Sequence, residues 1–178
     1  MASDRPPPMS APRILGLDPS LTSFGVAMPD GTTLSIKSKL KGVERLADIR
    51  SVILGLVDDV DLVVCEGYAY GAANKAHDLG ELGGTIRLAL WDACIPYVIV
   101  QPTNRAKYAT GTGNAAKATV AMAIAARTGR SFGDYDQVDA WILRAMGLDH
   151  YGHPEIEVPA THRVALNAIA WPELGART

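Results

Sequence analysis

Four carboxylates stand where they could do chemistry. Asp18 closes the apolar run "ILGLD", Glu66 closes "DLVVCE", and Asp136 and Asp139 lie three apart in "GDYDQVDAW". Residues three apart on a helix share a face, so the last two point the same way if that segment is helical. Taken singly, each acid has a plainer use. An Asp before Pro19 commonly serves a turn, a strand-end Glu is commonly solvated, and D-x-x-D at a helix start commonly caps it. Their joint placement points further. Crowded carboxylates repel one another and resist ionisation, and a divalent cation removes that cost. Oxygen ligands without histidine or thiolate select a hard ion such as Mg²⁺, with Mn²⁺ as substitute, over zinc. Two such ions about 4 Å apart activate water and stabilise the leaving oxygen of a phosphodiester.

The elements that must position these acids follow from periodicity and turn signals. Short β-type runs cover Arg13 to Leu17 and Phe24 to Met28, and "PDG" then turns the chain into "TTLSIKSKL" as a hairpin. Val43 to Val60 has helical apolar spacing, and 61–66 is a buried strand. A helix is expected from Asn74 to Cys94, with Leu79, Leu82, Ile86 and Leu90 on one face, and a strand at "YVIVQP". A basic, glycine-punctuated segment comes next, then helices from Ala115 to about Arg127 and from about Tyr135 to Leu148. The order β-β-β-α-β-α-β-α-α predicts an α/β fold, a mixed five-stranded sheet with helices on both faces. Sites in such sheets lie at the carboxyl ends of strands, the position of both Asp18 and Glu66.

With 178 residues, 48% of them apolar and 20% charged, the chain is sized for one globular domain and is not of disordered composition. We assign 1–12, "MASDRPPPMSAP", to a mobile leader, 13–150 to the domain, and 151–178 to a tail with a short packed helix near Val164 to Trp171. Cys65 and Cys94 lie in apolar stretches without a CxxC pair, which suggests buried free thiols in a reducing compartment. The four histidines show no zinc spacing with them. No run approaches the roughly 18 apolar residues of a membrane span, so a cytoplasmic location is expected. Net charge is −2, but from Gln101 to Arg130 the chain carries Arg105, Lys107, Lys117, Arg127 and Arg130 and no acid. That run is either a phosphate-binding surface or a solvated face whose acids come from neighbouring elements.

"ILGLDPSLTSFGVA", "LVVCEGYAYG", "TGTGNAAKATV" and "YDQVDAWILRAMG" occur in an order and spacing that resemble RuvC-type Holliday junction resolvases of the ribonuclease H-like nucleases. The likeness runs from about Arg13 to Leu148, and the chain's compactness is similar to phage-encoded members. The resemblance implies a ribonuclease H-like fold, a homodimer, and paired metal-dependent nicks across a four-way DNA junction that leave 5′-phosphate and 3′-hydroxyl ends. It places the catalytic, metal-holding acids, with two ions among them, at Asp18, Glu66, Asp136 and Asp139. It places the basic DNA-binding residues at Lys107 and Lys117, on either side of Gly111 and Gly113, with Arg105 beside them. Where such proteins commonly carry a phenylalanine three residues after the glutamate, this chain has Ala69, flanked by Tyr68 and Tyr70, either of which offers a stacking surface to unpaired bases. The helix from Asn74 to Cys94 is the candidate dimer interface. Two other functions fit parts of the pattern: cleavage of flaps or forks, and an actin- or sugar-kinase-like ATPase, to which "ELGGTIRLAL" is faintly similar.

Overall fold

A computed structural model describes residues 10–67 and 76–175. The leader expected at 1–12 lies almost wholly outside them, as do Tyr68, Ala69 and Tyr70. Five strands form one sheet: β1 (Ile14–Asp18), β2 (Ser23–Ala27), β3 (Thr33–Lys37), β4 (Leu62–Glu66) and β5 (Tyr97–Val100), in the order β3-β2-β1-β4-β5. β1, β2 and β3 are an antiparallel meander, whereas β4 runs parallel to both β1 and β5. The helices are α1 (Gly42–Leu56), α2 (Ala76–Asp92), α3 (Pro102–Thr110), α4 (Lys117–Thr128), α5 (Tyr135–His150) and α6 (Ala160–Arg163), the last running into a 3-10 turn at Val164–Ala168.

Successive strand residues point to opposite faces, and here both faces are covered, which is why β1 and β4 read as unbroken apolar runs. Leu15, Leu17, Val63 and Cys65 pack under α1 and α2 against Ile49, Ile53, Leu82, Ile86 and Leu90. Ile14, Leu62, Val64, Val98 and Val100 pack on the other face against α5, α3 and α4, through Trp141, Met146, Tyr108, Val120 and Ile124. The mixed sheet with helices on both faces is the expected fold class.

Helix α5 is buried along most of its length, from Val138 to Asp149. It lies directly on strand backbone, an approach that two glycines permit. A Cβ on Gly16 would come within 2.0 Å of the Ala140 carbonyl oxygen, and one on Gly25 within 1.9 Å of the Asp136 carbonyl oxygen. The start of the helix is fixed as well. The Asp134 carboxylate accepts the Gln137 N–H at 3.0 Å and the Ser35 hydroxyl of β3 at 2.6 Å. Asp134 therefore serves as the cap, and Asp136 and Asp139 are not needed for that purpose.

Two features depart from the sequence reading. The basic segment after β5 is helix α3, opened by Pro102 in its first turn, where a missing N–H costs nothing. Its buried face is Arg105, Ala106, Tyr108 and Ala109, too small and polar to register as an apolar period. Cys94 is exposed and not buried, because the chain leaves α2 there in a left-handed turn with φ of 56°; Cys65 is buried as expected. The tail forms α6 and the 3-10 turn, seated by Ala165 and Leu166, and Trp171 stacks on His150 at 4.6 Å. Among the described residues, no helix is long and apolar enough to cross a membrane.

The glycine contacts can be checked by thermal unfolding. Gly16→Ala and Gly25→Ala should each destabilise the protein by about 1–3 kcal/mol or more by lifting α5. Gly55→Ala, where a Cβ meets nothing within 4 Å, should stabilise it by up to about 1 kcal/mol.

Candidate active site

The register between β1 and β4 pairs Leu17 with Cys65. The next residues, Asp18 and Glu66, therefore leave the sheet side by side at its carboxyl edge. Asp139 reaches the same place from α5. One carboxylate oxygen of each of the three lies within 4.8 Å of the others. They are 8%, 8% and 1% exposed, so water does little to separate their charges.

Two cations face this group from different sides. Arg105 of α3, only 5% exposed, donates from Nε to Glu66 Oε1 at 3.0 Å and pairs through its terminal nitrogen with Asp139 Oδ1. Lys117, the first residue of α4, lies at the rim with its side chain 55% exposed. Its Nζ is 3.3 Å from Asp139 Oδ2 and 3.9 Å from Asp136 Oδ1. Asp139 Oδ2 is buried and accepts no hydrogen bond; the Lys117 ammonium, 3.3 Å away, is its ion-pair partner.

Burial pushes the Asp18 carboxyl well above its ordinary 3.8, reinforced by a hydrogen bond shared with Glu66 and by the charges of Glu66 and Asp139, with Arg105 opposing. Burial likewise raises Asp139 to about 6; Arg105 and Lys117 pull it down, and Glu66 pushes it up. Burial works against the charge on Lys117, but Asp139, Asp18 and Asp136 outweigh it and the ammonium is held more tightly than usual. Cys65, next to Glu66, has its thiol pushed up by burial, so it supplies neither a nucleophile nor a thiolate ligand here. What is left is an all-oxygen donor set, with one buried oxygen lacking a hydrogen bond and two acids, Asp18 and Asp139, that resist ionisation on their own. That set suits a hard divalent cation.

Of the expected acids, Asp18, Glu66 and Asp139 come together. Asp136 is half-buried, stands outside the 4.8 Å group, and faces it across Lys117. The basic run divides sharply. Arg105, expected at the DNA-binding surface, is instead buried against Glu66 and Asp139. Arg127 caps the Ala109 carbonyl, and Arg130 bonds the Gly31 carbonyl at 3.0 Å while lying over the Trp141 ring. Lys107 is half-buried on α3 and has no ion-pair partner among the described residues. Tyr68 and Tyr70 lie outside the described residues. Sequence reasoning missed the support behind α3. The Tyr108 hydroxyl donates to Asp149 Oδ2 at 3.0 Å, Arg163 of α6 pairs with the same carboxylate at 2.7 Å, and His162 rests against Tyr108 and Gly111. A charged Asp149 at the close of the apolar run "AMGLD" was the available signal.

A pH effect follows. Between pH 3.8 and about 6 the folded chain binds a proton at Asp139 that the unfolded chain has largely released. Stability of the metal-free protein therefore falls as pH rises through that window and stays lower above it. The part due to Asp139 is about 3 kcal/mol at most. Thermal unfolding in EDTA at about pH 4.5 and about pH 7.5 should show this fall in the wild type and a smaller one in Asp139→Asn.

No protein-family model matches the chain, and no curated protein matches it in sequence. Solved structures do match. Thermus thermophilus RuvC is similar with a TM-score of 0.62 at 19% identity, over 81% of this chain and 99% of that one. T. thermophilus RuvC in complex with Holliday junction substrate is similar with a TM-score of 0.61 at 19% identity, over 81% of this chain and 98% of that one. The chain thus has the ribonuclease H-like fold of RuvC, and its three gathered acids stand at the carboxyl edge of that sheet.

Proposed function

We propose that this chain is a divalent-metal-dependent endodeoxyribonuclease that resolves four-way DNA junctions by paired phosphodiester hydrolysis, leaving 5′-phosphate and 3′-hydroxyl ends. The supporting observation is the convergence of Asp18, Glu66 and Asp139 within 4.8 Å on a fold similar to a RuvC solved with a Holliday junction substrate.

Asp18, Glu66 and Asp139 would hold Mg²⁺, or Mn²⁺ in its place. When bound, such an ion supplies a Lewis acid for the phosphoryl oxygen and lowers the pKa of water. The chain's own residues bind and orient the backbone. Lys117 stands on the solvent side of the acids, at the start of α4, whose first-turn N–H groups have no partner within the helix. Ammonium and helix N-terminus together make a phosphate seat at the edge of the cluster. Asp136, 3.9 Å from the Lys117 ammonium, orients that lysine toward the seat. Lys107 extends the basic rim, and Tyr68 and Tyr70 supply stacking surfaces for bases at the junction.

Paired nicks need two sites, and a second copy of the chain supplies the other. Leu82, Ile86, Ala89 and Leu90 of α2 serve the chain's own core, while Gly80, Gly84, Leu88 and Trp91 form the opposite face, with Trp91 77% exposed. A Cβ on Gly80 or Gly84 meets nothing within 4 Å, so this face is flat enough for close helix approach. Trp91→Glu should shift the protein from dimer to monomer in sedimentation, and an unchanged dimer would place the interface elsewhere.

The test of activity compares a mobile four-way junction, a flap and a linear duplex with Mg²⁺, and with EDTA as control. Selective cutting of the junction is expected; equal cutting of the flap would widen the substrate to branched DNA in general. Asp18→Asn should abolish cleavage and keep junction binding, whereas full cleavage by that variant would remove the site. Lys117→Ala should weaken junction binding and lower the slope of log affinity against log salt by about one.

A further inference from the structure

We propose that Arg105 takes the place of one cation in this site, so that each chain holds a single divalent ion and not the pair expected from its sequence; this rests on the nuclease reading. The guanidinium is fixed among the acids. Its Nε and a terminal nitrogen each bond a different carboxylate, Glu66 and Asp139, and it is as buried as they are. An arginine keeps its charge under all working conditions, so it is a permanent cation on two of the three ligand side chains.

The oxygens divide accordingly. Oε1 of Glu66 and Oδ1 of Asp139 accept from Arg105. The two oxygens of Asp18, Oε2 of Glu66 and Oδ2 of Asp139 take no bond from Arg105, and the last is buried with the Lys117 ammonium 3.3 Å away. That set suits one hard ion that keeps some of its water. Charge points the same way. Ionised, as metal ligands must be, the three gathered acids and Asp136 carry four negative charges, and Arg105 and Lys117 return two. One divalent ion then brings the group to neutrality, while a second would leave a double positive excess beside three acids and an arginine that are each less than a tenth exposed.

The arginine is also held in place from behind. α3 is tied to α5 and α6 through Tyr108, Asp149 and Arg163, and its C-terminal turn at Gly111 has His162 packed on it. Drawing Arg105 out of the cluster would leave two buried carboxylates uncompensated, a costly arrangement. Arg105 is thus a positioning residue that acts through Glu66 and Asp139.

The experiment counts Mn²⁺ bound by the full chain without DNA, from the spin-resonance signal of unbound Mn²⁺, with Asp18→Asn as background. Wild type should hold one ion per chain. Arg105→Gln should hold two, the first bound about tenfold or more tighter for loss of the nearby charge. Arg105→Lys, which keeps a cation, should stay at one. Thermal unfolding checks that the variants fold, and if Arg105→Gln does not, the counts for wild type and Arg105→Lys still decide. Two ions on the wild type, a single ion on folded Arg105→Gln, or any other count overturns the proposal. If junctions are cut while the count is wrong, this inference alone fails. If no ion binds and junctions also stay whole, the nuclease reading fails with it.

Discussion

Three carboxylates within 4.8 Å of one another, each less than a tenth exposed, repel strongly unless cations lie among them. The fold answers that repulsion with Arg105 from one helix and Lys117 from another. Most other features of the molecule can be read as means of keeping those five groups in register. β1 and β4 set Asp18 and Glu66 on adjacent parallel strands, and the Gly16 and Gly25 contacts bring α5 low enough for Asp139 to meet them. A buried pair of this kind is weak evidence for stability, since desolvation offsets most of the attraction.

The basic residues show how little a charge count says about a surface. Between Gln101 and Arg130 the chain has five cations and no acid, yet three of the five are tied to partners within the chain, and Arg105 is buried. Arg105 compensates the acids, Arg127 caps the Ala109 carbonyl, and Arg130 spans from the Gly31 carbonyl to the Trp141 ring. Lys117, paired with the acids at their rim, and half-buried Lys107 are the other two. They lie on α4 and α3, the two helices that flank the acids, so the basic rim and the acidic pocket belong to one structural unit.

The segment after α5 belongs to that unit too. Arg163 reaches back to Asp149, which also receives the Tyr108 hydroxyl, and Trp171 stacks on His150. Through Tyr108 these contacts fix α3, and through α3 they fix Arg105. Packing remote from the acids thereby sets the geometry at them, because a helix anchored at its far side cannot shift without moving its buried guanidinium.

The strand ends at Asp18 and Glu66, the hairpin at Asp30–Gly31, and the buried helix carrying Asp139 were all legible in the sequence. Each rests on local alternation, a turn dipeptide or a helical period, and the chain carries that information over a few residues. Helix α3 was not legible, because its buried face includes an arginine and two alanines where an apolar stripe is normally sought. The partnership of Arg105 with Glu66 and Asp139 spans 39 and 34 residues. It exists only once the register of β4 and the depth of α5 have been set. Which cation faces water and which is sealed among the acids was therefore decided by tertiary packing, since burial and the pairing of distant charges are properties of the assembled layers and not of any one segment.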